Sequence, residues 1–306
     1  MKYSICKLKP KSSLHLGERE SFREGSEIFI HSDTLFSAFC NSYLLLYGKN
    51  KLEDLLNQFL NNQPPFLISS AFPYYNNKFY FPLPENQIPK EKKLKQKKFI
   101  EKNGFEKLIS GSKIDNINES EFFPENEIIS IINSPRIALN RITNHPGENY
   151  FHFSEVFYKN NSGLFFIFEL KNKNIEKNFF ATLRLLADEG IGGDRTVGKG
   201  CFYQPQFDEI EIQLPSSKST LTLSLYSPLE TELNDLKNSY YQILIRQGYV
   251  LSPYNKSLRR KNVVMLSEGS VFPSPKIGKL LDLTPENFSL HKVYRYGLSF
   301  NVPCVI

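Results

Sequence analysis

Apolar residues recur in residues 2–9, where Tyr3, Ile5 and Leu8 mark a first strand. Residues 11–30, with Gly17, Gly25 and mixed charge, form a loop in this reading. Ser32-Asp33-Thr34 then opens a helix, because small oxygen-bearing side chains satisfy the free N–H groups of a first turn. Leu35, Phe36, Phe39, Tyr43 and Leu46 follow at three- and four-residue steps. Gly48 stops that helix, and a shorter one spans 52–60 before Pro64-Pro65. Strands are predicted over 67–72 and 79–81, then over 127–132, 136–142, 150–157 and 164–170. A second amphipathic helix covers 176–188, carried by Phe179, Phe180, Leu183, Leu186 and Ala187, and a strand follows over 201–214. After Pro215-Ser216-Ser217-Lys218, which reads as a linker, come a strand over 220–226, a helix over 229–246 closed by Gly248, and strands over 263–266, 270–272 and 292–301.

This order predicts an α+β fold of two tandem ferredoxin-like domains, residues 1–214 and 219–306, each an open antiparallel sheet with helices on one face. Between 73 and 130 the pattern breaks. Residues 84–125 are rich in Asn, Glu and Lys, and 90–98 read KEKKLKQKK. That stretch reads as a polar insertion of the first domain, flexible when free, so deletion of 90–113 is expected to leave folding intact. Its lysines suit a solvated surface or a phosphate contact, and the sequence leaves both open.

Composition narrows the function. The 306 residues, at roughly 100–200 per domain, fit two domains. Phe 26, Tyr 16 and Trp 0 suit packed sheets, and also faces on which bases stack. A net charge of +6 favours a polyanionic partner. Cys6, Cys40, Cys201 and Cys304 form no C-x-x-C pair, which argues against a disulfide framework or a zinc site. No stretch approaches the ~20 apolar residues of a membrane span. The opening MKYSICKLKP has no apolar core of a secretory signal, so a cytoplasmic location is expected.

The most informative run is GIGGDRTVGKG, residues 190–200. Its glycines, Gly190, Gly192, Gly193, Gly198 and Gly200, permit backbone shapes that leave N–H groups open to an anion. Arg195 and Lys199 add charge for phosphate. Residues 193–199 match most of a phosphate-binding P-loop, yet Gly200 stands where Ser or Thr would hold magnesium, and the order is helix, loop, strand rather than strand, loop, helix. Nucleoside triphosphate hydrolysis is therefore not expected.

ATLRLLADEGIGGDRTVGKGCF (181–202) resembles the helix and glycine-rich loop of the RAMP superfamily of CRISPR proteins. LHLG (14–17) with HSDTLFSAF (31–39), and PRIALNRIT (135–143) with FHFSEVFY (151–158), resemble further segments of that superfamily. RRKNVVMLSEGSVF (259–272) and HKVYRYGLSFNV (291–302) resemble the tail of one subfamily, the fourth subunits of type III-A Csm complexes. The weak stretch is about 73–130. The resemblance implies two ferredoxin-like domains in a non-catalytic subunit for antiviral defence. Such a subunit holds the 5′ tag of the CRISPR RNA (crRNA), docks the large polymerase-like Csm subunit and touches the neighbouring backbone RAMP subunit, with no cofactor.

Physically, a single-stranded tag is gripped by phosphate contacts and by bases splayed onto aromatic or Arg faces. Beyond the loop, the candidate RNA contacts are His15, Arg136 and Arg141, with Ser32 and Thr34 as an anion site at a helix start. Five histidines, His15, His31, His145, His152 and His291, admit an alternative: a metal-independent repeat endoribonuclease with His15 as general base. A free-standing RNA-binding module is a third reading. No H-x-x-x-H spacing supports a metal site, and the carboxylates Asp188, Glu189 and Asp194 are more simply balanced by Arg195 and Lys199.

Overall fold

Residues with strand alternation and two long amphipathic helices build the first part of the chain. The computed structural model describes residues 1–17, 25–87, 89, 91, 94–139, 142–143, 145–250 and 258–306. Arg141 and the lysines at 90, 92 and 93 lie outside the described residues. The elements run β1 (Lys2–Leu8), α1 (Ser32–Leu60), β2 (Phe66–Ile68), β3 (Phe72–Tyr75), β4 (Lys78–Pro82), β5 (Phe99–Glu101), α2 (Lys102–Ile109) and α3 (Glu125–Ile128). Then come β6 (Ile129–Leu139), β7 (Pro146–Tyr158), β8 (Ser162–Leu170), α4 (Glu176–Glu189) and β9 (Gln206–Glu211).

Seven of these nine strands, all but β6 and β7, form one sheet in the order β5-β4-β3-β8-β1-β9, with β2 also on β8. β8 pairs antiparallel with β1 (Ile5 opposite Ile167) and with β2 and β3 (Phe66 opposite Leu170, Phe72 opposite Phe165), while β9 closes on β1. The run β1, α1, β2/β3, β8, α4, β9 thus places its strands in the spatial order of a ferredoxin-like sandwich. Gly48, at φ 79° and ψ 174°, interrupts the helical backbone as expected, so α1 is two helical stretches joined at a kink. The aromatic residues go largely into this core: Phe179 of α4 lies 5.3 Å from Phe39 of α1 and 5.0 Å from Phe66, ring centre to ring centre. Each such ring, fully buried, contributes on the order of 1.5–3 kcal/mol.

Two expectations need correction here. The predicted strands over 127–132 and 136–142 are a single strand, β6, which pairs with β7 in a long two-stranded ribbon. The segment 99–123 is no flexible polar insertion. Phe99, Ile100, Phe105, Leu108, Ile109, Ile114, Phe122 and Phe123 are all buried in the main core, with Phe105 stacked 4.7 Å from Phe81. Phe105, Leu108 and Ile109 stand one helical turn apart, a stripe short enough to be masked by its polar flanks. Deleting 90–113 would remove Phe99, Ile100, Phe105, Leu108 and Ile109 from this core, so loss of soluble protein is the outcome now expected of that deletion.

The rest of the chain continues with β10 (Thr220–Thr222), β11 (Ile243–Arg246), β12 (Val263–Leu266), β13 (Val271–Phe272), β14 (Gly278–Asp282), β15 (Tyr294–Leu298) and β16 (Asn301–Pro303). β10 sits between β13 and β16, while β11–β12 and β14–β15 form separate ribbons. The helix expected over 229–246 is instead a 3₁₀ helix, Glu230–Asn238, followed by strand β11. Glu232 closes off the 3₁₀ turn by accepting hydrogen bonds from Leu229 N (2.9 Å), Tyr226 Oη (2.8 Å) and Ile277 N (2.6 Å). Ile243 and Ile245 alternate, and β11 pairs with β12, so tertiary pairing overrides the helical pattern. Leu221, Leu223, Tyr296, Leu298 and Phe300 belong to the same buried cluster as the first sheet, so one core spans both parts.

Candidate nucleic-acid interface

The glycine-rich loop leaves α4 at Gly190 and turns back beside the extended segment 11–16. Its glycines serve close approach first. Gly192 has φ 98°, and a Cβ there would collide with the carbonyl of His15. Gly200 has φ 74°, and its Cβ would collide with the carbonyl of Ile191. Several loop N–H groups are already spent inside the protein: Ile191 N on Gly200 O (3.0 Å), Gly193 N on His15 O (2.9 Å), Gly200 N on Ser13 O (2.8 Å), Gly198 N on Arg195 O (3.0 Å) and Lys199 N on Asp194 O (3.3 Å). The expected cradle of open N–H groups is therefore largely closed, and side chains carry the site.

Those side chains meet where the loop faces the β6–β7 ribbon. Arg136 of β6 lies diagonally across the ribbon from Phe153 of β7, with its guanidinium 3.8 Å from the ring centre. His15 packs on the same ring at 4.1 Å. His15 Nδ1 lies 2.8 Å from the carbonyl of Ser154. A carbonyl only accepts, so Nδ1 is the donor in this contact and Nε2 is the ring nitrogen left for another partner. Arg136 pairs with Asp194 of the loop and approaches Glu155 at 3.8 Å. Lys199 Nζ binds Glu155 Oε1 at 2.6 Å, and Ser13 Oγ donates to the same oxygen at 2.6 Å. Lys199 is thus paired with Glu155, while Asp194 of the loop is paired with Arg136 of the ribbon. Burial works to raise the Glu155 pKa, but hydrogen bonds from Lys199 and Ser13 and the charges of Lys199 and Arg136 outweigh it, and the carboxyl is held below its ordinary value. Arg195, half-buried, lines a pocket of about 160 Å³ with Asn41, Ser42, Leu44, Leu45 and Glu189.

The loop, His15 and Arg136 therefore converge, while Arg141 lies outside the described residues. Ser32 and Thr34 stand elsewhere, and their reading as an anion site is corrected by burial. Ser32 is fully buried; its N–H donates to Ser70 Oγ (2.8 Å) and its Oγ accepts from Leu225 N (3.0 Å). Thr34 Oγ1 accepts from Arg246 (3.1 Å). Between them Asp33, also buried, takes Arg246 through both carboxylate oxygens at 3.0 Å and pairs with Arg295. This helix start is filled by the later part of the chain.

Ser13, Phe153 and Glu155 were missed in the sequence. Their available signal is a lone acid in an aromatic strand, FHFSEVFY, which requires a buried partner. Among the described residues, no three His, Cys, Asp or Glu side chains gather closely enough to hold a metal ion, and no helix is long and apolar enough to cross a membrane.

The chain is 28% identical to the Csm4 protein of the CRISPR system of Methanocaldococcus jannaschii, covering 99% of this chain and 97% of the relative. It is 26% identical to the Csm4 protein of Thermococcus onnurineus, covering 88% and 89%. Among solved structures it is similar to a chain of the Csm3–Csm4 subcomplex of the type III-A CRISPR-Cas interference complex (TM-score 0.72, 21% identity, 99% and 100% covered). It is also similar to a chain of the Csm1–Csm4 cassette in complex with pppApA (TM-score 0.64, 22% identity, 100% and 99% covered). The sequence profile of the CRISPR Csm4 C-terminal domain matches residues 215–304. The profile of the RAMP superfamily matches residues 7–203, and the chain belongs to that superfamily.

Proposed function

We propose that this chain is the Csm4-type subunit of a type III-A CRISPR interference complex, that it holds the 5′ tag of the crRNA, and that it docks the large polymerase-like subunit and the neighbouring backbone subunit without cleaving RNA itself. One observation carries the reading. The glycine-rich loop, the β6–β7 ribbon and the 11–16 segment bring the ammonium of Lys199, the ring-stacked guanidinium of Arg136 and the imidazole of His15 onto one partly open face. Phosphates meet Lys199 and Arg136 there, and Arg195 of the same loop adds a further cation beside α1. The Nε2 of His15 is the ring nitrogen left to bond a 2′-hydroxyl, which both donates and accepts and is the group that separates RNA from DNA. The partners follow from the relatives, whose solved structures are named for Csm1–Csm4 and Csm3–Csm4 assemblies.

The test is a tagged pull-down from the native host, with proteins and RNAs both identified. The expected recovery is the other Csm subunits together with RNAs that share one 5′ end. Recovery of the chain alone, with no common RNA, overturns the reading. Fixed-position cleavage of repeat RNA without metal, lost in His15→Ala, would replace it with the endoribonuclease.

A further inference from the structure

Glu155 stands where a ligand anion would stand. Its Oε1 receives Ser13 Oγ and Lys199 Nζ, each at 2.6 Å, and its Oε2 faces Arg136 at 3.8 Å. The three donors come from three distant stretches: the 11–16 segment, the loop and β6. A hydroxyl, an ammonium and a guanidinium converging on one point form a donor set suited to a phosphate. The carboxylate is deep, with 10% of its side chain exposed, whereas Lys199 and Arg136 keep 31% and 33% of theirs exposed. A ligand thus reaches the cations from outside, while Glu155 holds them from within.

We propose that Ser13, Lys199 and Arg136 form a phosphodiester site in which Glu155 is a resident anion, so that an RNA phosphate engages Lys199 only in competition with Glu155. This rests on the reading that the loop face binds RNA. Ion pairs with solvent access are worth about 0–1 kcal/mol, so the exchange is energetically open. The two cations also face two carboxylates, Glu155 and Asp194, and the resting cluster has no surplus positive charge for arbitrary polyanions. A strand that makes several contacts at once, through Arg195 and His15 as well, offsets the displaced pair. Glu155 therefore trades affinity for selectivity.

The prediction separates a resident anion from a merely structural acid. A short fluorescent oligouridylate isolates phosphate contacts, and its binding to the full chain is followed by anisotropy across a salt series. Glu155→Gln keeps shape and removes charge. It should tighten binding about 3- to 10-fold and steepen the log K against log salt slope by about 0.7, the increment of one added phosphate contact on a single strand. In a Lys199→Met background the same change should shift affinity less than about twofold. Weaker binding by Glu155→Gln, an unchanged slope, or a gain that survives in the Lys199→Met background overturns the proposal. Ser13→Ala, which alters no charge, provides a second route if Glu155→Gln does not fold. It should weaken binding about 2- to 5-fold at unchanged slope, and unchanged or tighter binding counts against the site. Failure of the wild-type chain to bind at low salt is a different result, since it removes the RNA-binding reading itself.

Discussion

Two charged clusters in this molecule use nearly the same chemistry in opposite settings. At the start of α1, Asp33 gathers Arg246, Arg295 and the hydroxyl of Thr34. At the loop, Glu155 gathers Lys199, Arg136 and the hydroxyl of Ser13. Each joins parts of the chain far apart in sequence. They differ in solvent access. The side chains of Asp33 and Arg295 are 2% exposed, whereas those of Lys199 and Arg136 are about one-third exposed. A buried pair cannot exchange partners without leaving a charge stranded in low dielectric. A partly open pair can, because water or a phosphate replaces what is lost. The first cluster therefore holds the fold, and the second is available to a ligand.

The largest expected effect tests the first half of that contrast. Asp33→Asn leaves two arginines facing a neutral amide in the core and should cost about 3–5 kcal/mol in denaturant unfolding. A loss below about 1 kcal/mol would place the helix-start cluster beside the loop cluster and dissolve the distinction. Acid sharpens the same test. Burial pushes the Asp33 pKa up, but the charges of Arg246 and Arg295, with His31 and the Arg246 hydrogen bond, outweigh it and hold the carboxyl well below the usual carboxylate range. A depressed carboxylate stabilises the folded state fully above its unfolded pKa, about 4, and loses that contribution as pH falls toward the folded value. The gap between wild type and Asp33→Asn should therefore stay constant down to about pH 5 and narrow only below pH 4.

A smaller effect is expected at the loop, read in RNA binding rather than stability. Arg195→Ala should weaken binding and flatten the salt slope by about 0.7. Lys199→Ala should flatten it less, because Glu155 already occupies that ammonium. Equal flattening by the two variants would show Lys199 to be as free as Arg195 and would break the contrast between resident and open cations.

The same contrast explains which features were legible in the sequence. The periodicity over α1 and α4, the alternation of β1, the apolar run of β8 and the glycine-rich run are local signals, and each sits where expected. Ser32-Asp33-Thr34 is also a local signal, but an exposed anion site and a buried ion pair begin with the same letters. Only the arrival of Arg246 and Arg295, more than 200 positions later, separates them. Glu155 fails for the converse reason, because its partners lie at positions 13, 136 and 199 and no window of sequence holds them together. The 99–123 segment was hidden by composition: a one-turn apolar stripe among lysines and asparagines averages out as polar, yet supplies a layer of the core. Over 229–246, helical spacing and strand alternation coexist, and pairing with β12 decided between them.

The smallest expected effect is the sharpest comparison of all. Lys199 and Glu155 make a 2.6 Å contact, shorter than the 3.0 Å contact of Arg246 with the buried Asp33. If distance governed stability, Lys199→Ala would rival Asp33→Asn. Two facts argue otherwise. A third of the Lys199 side chain meets solvent, so its charge is screened and its gain on pairing is small. Glu155 also keeps Ser13 at 2.6 Å and Arg136 at 3.8 Å once the lysine is gone, so its carboxylate is not stranded. Urea unfolding of Lys199→Ala should therefore fall within about 1 kcal/mol of wild type at neutral pH. A loss of about 3 kcal/mol or more would make the loop cluster as structural as the one at α1, and the exposed third of each cation would then have no bearing on what the site does.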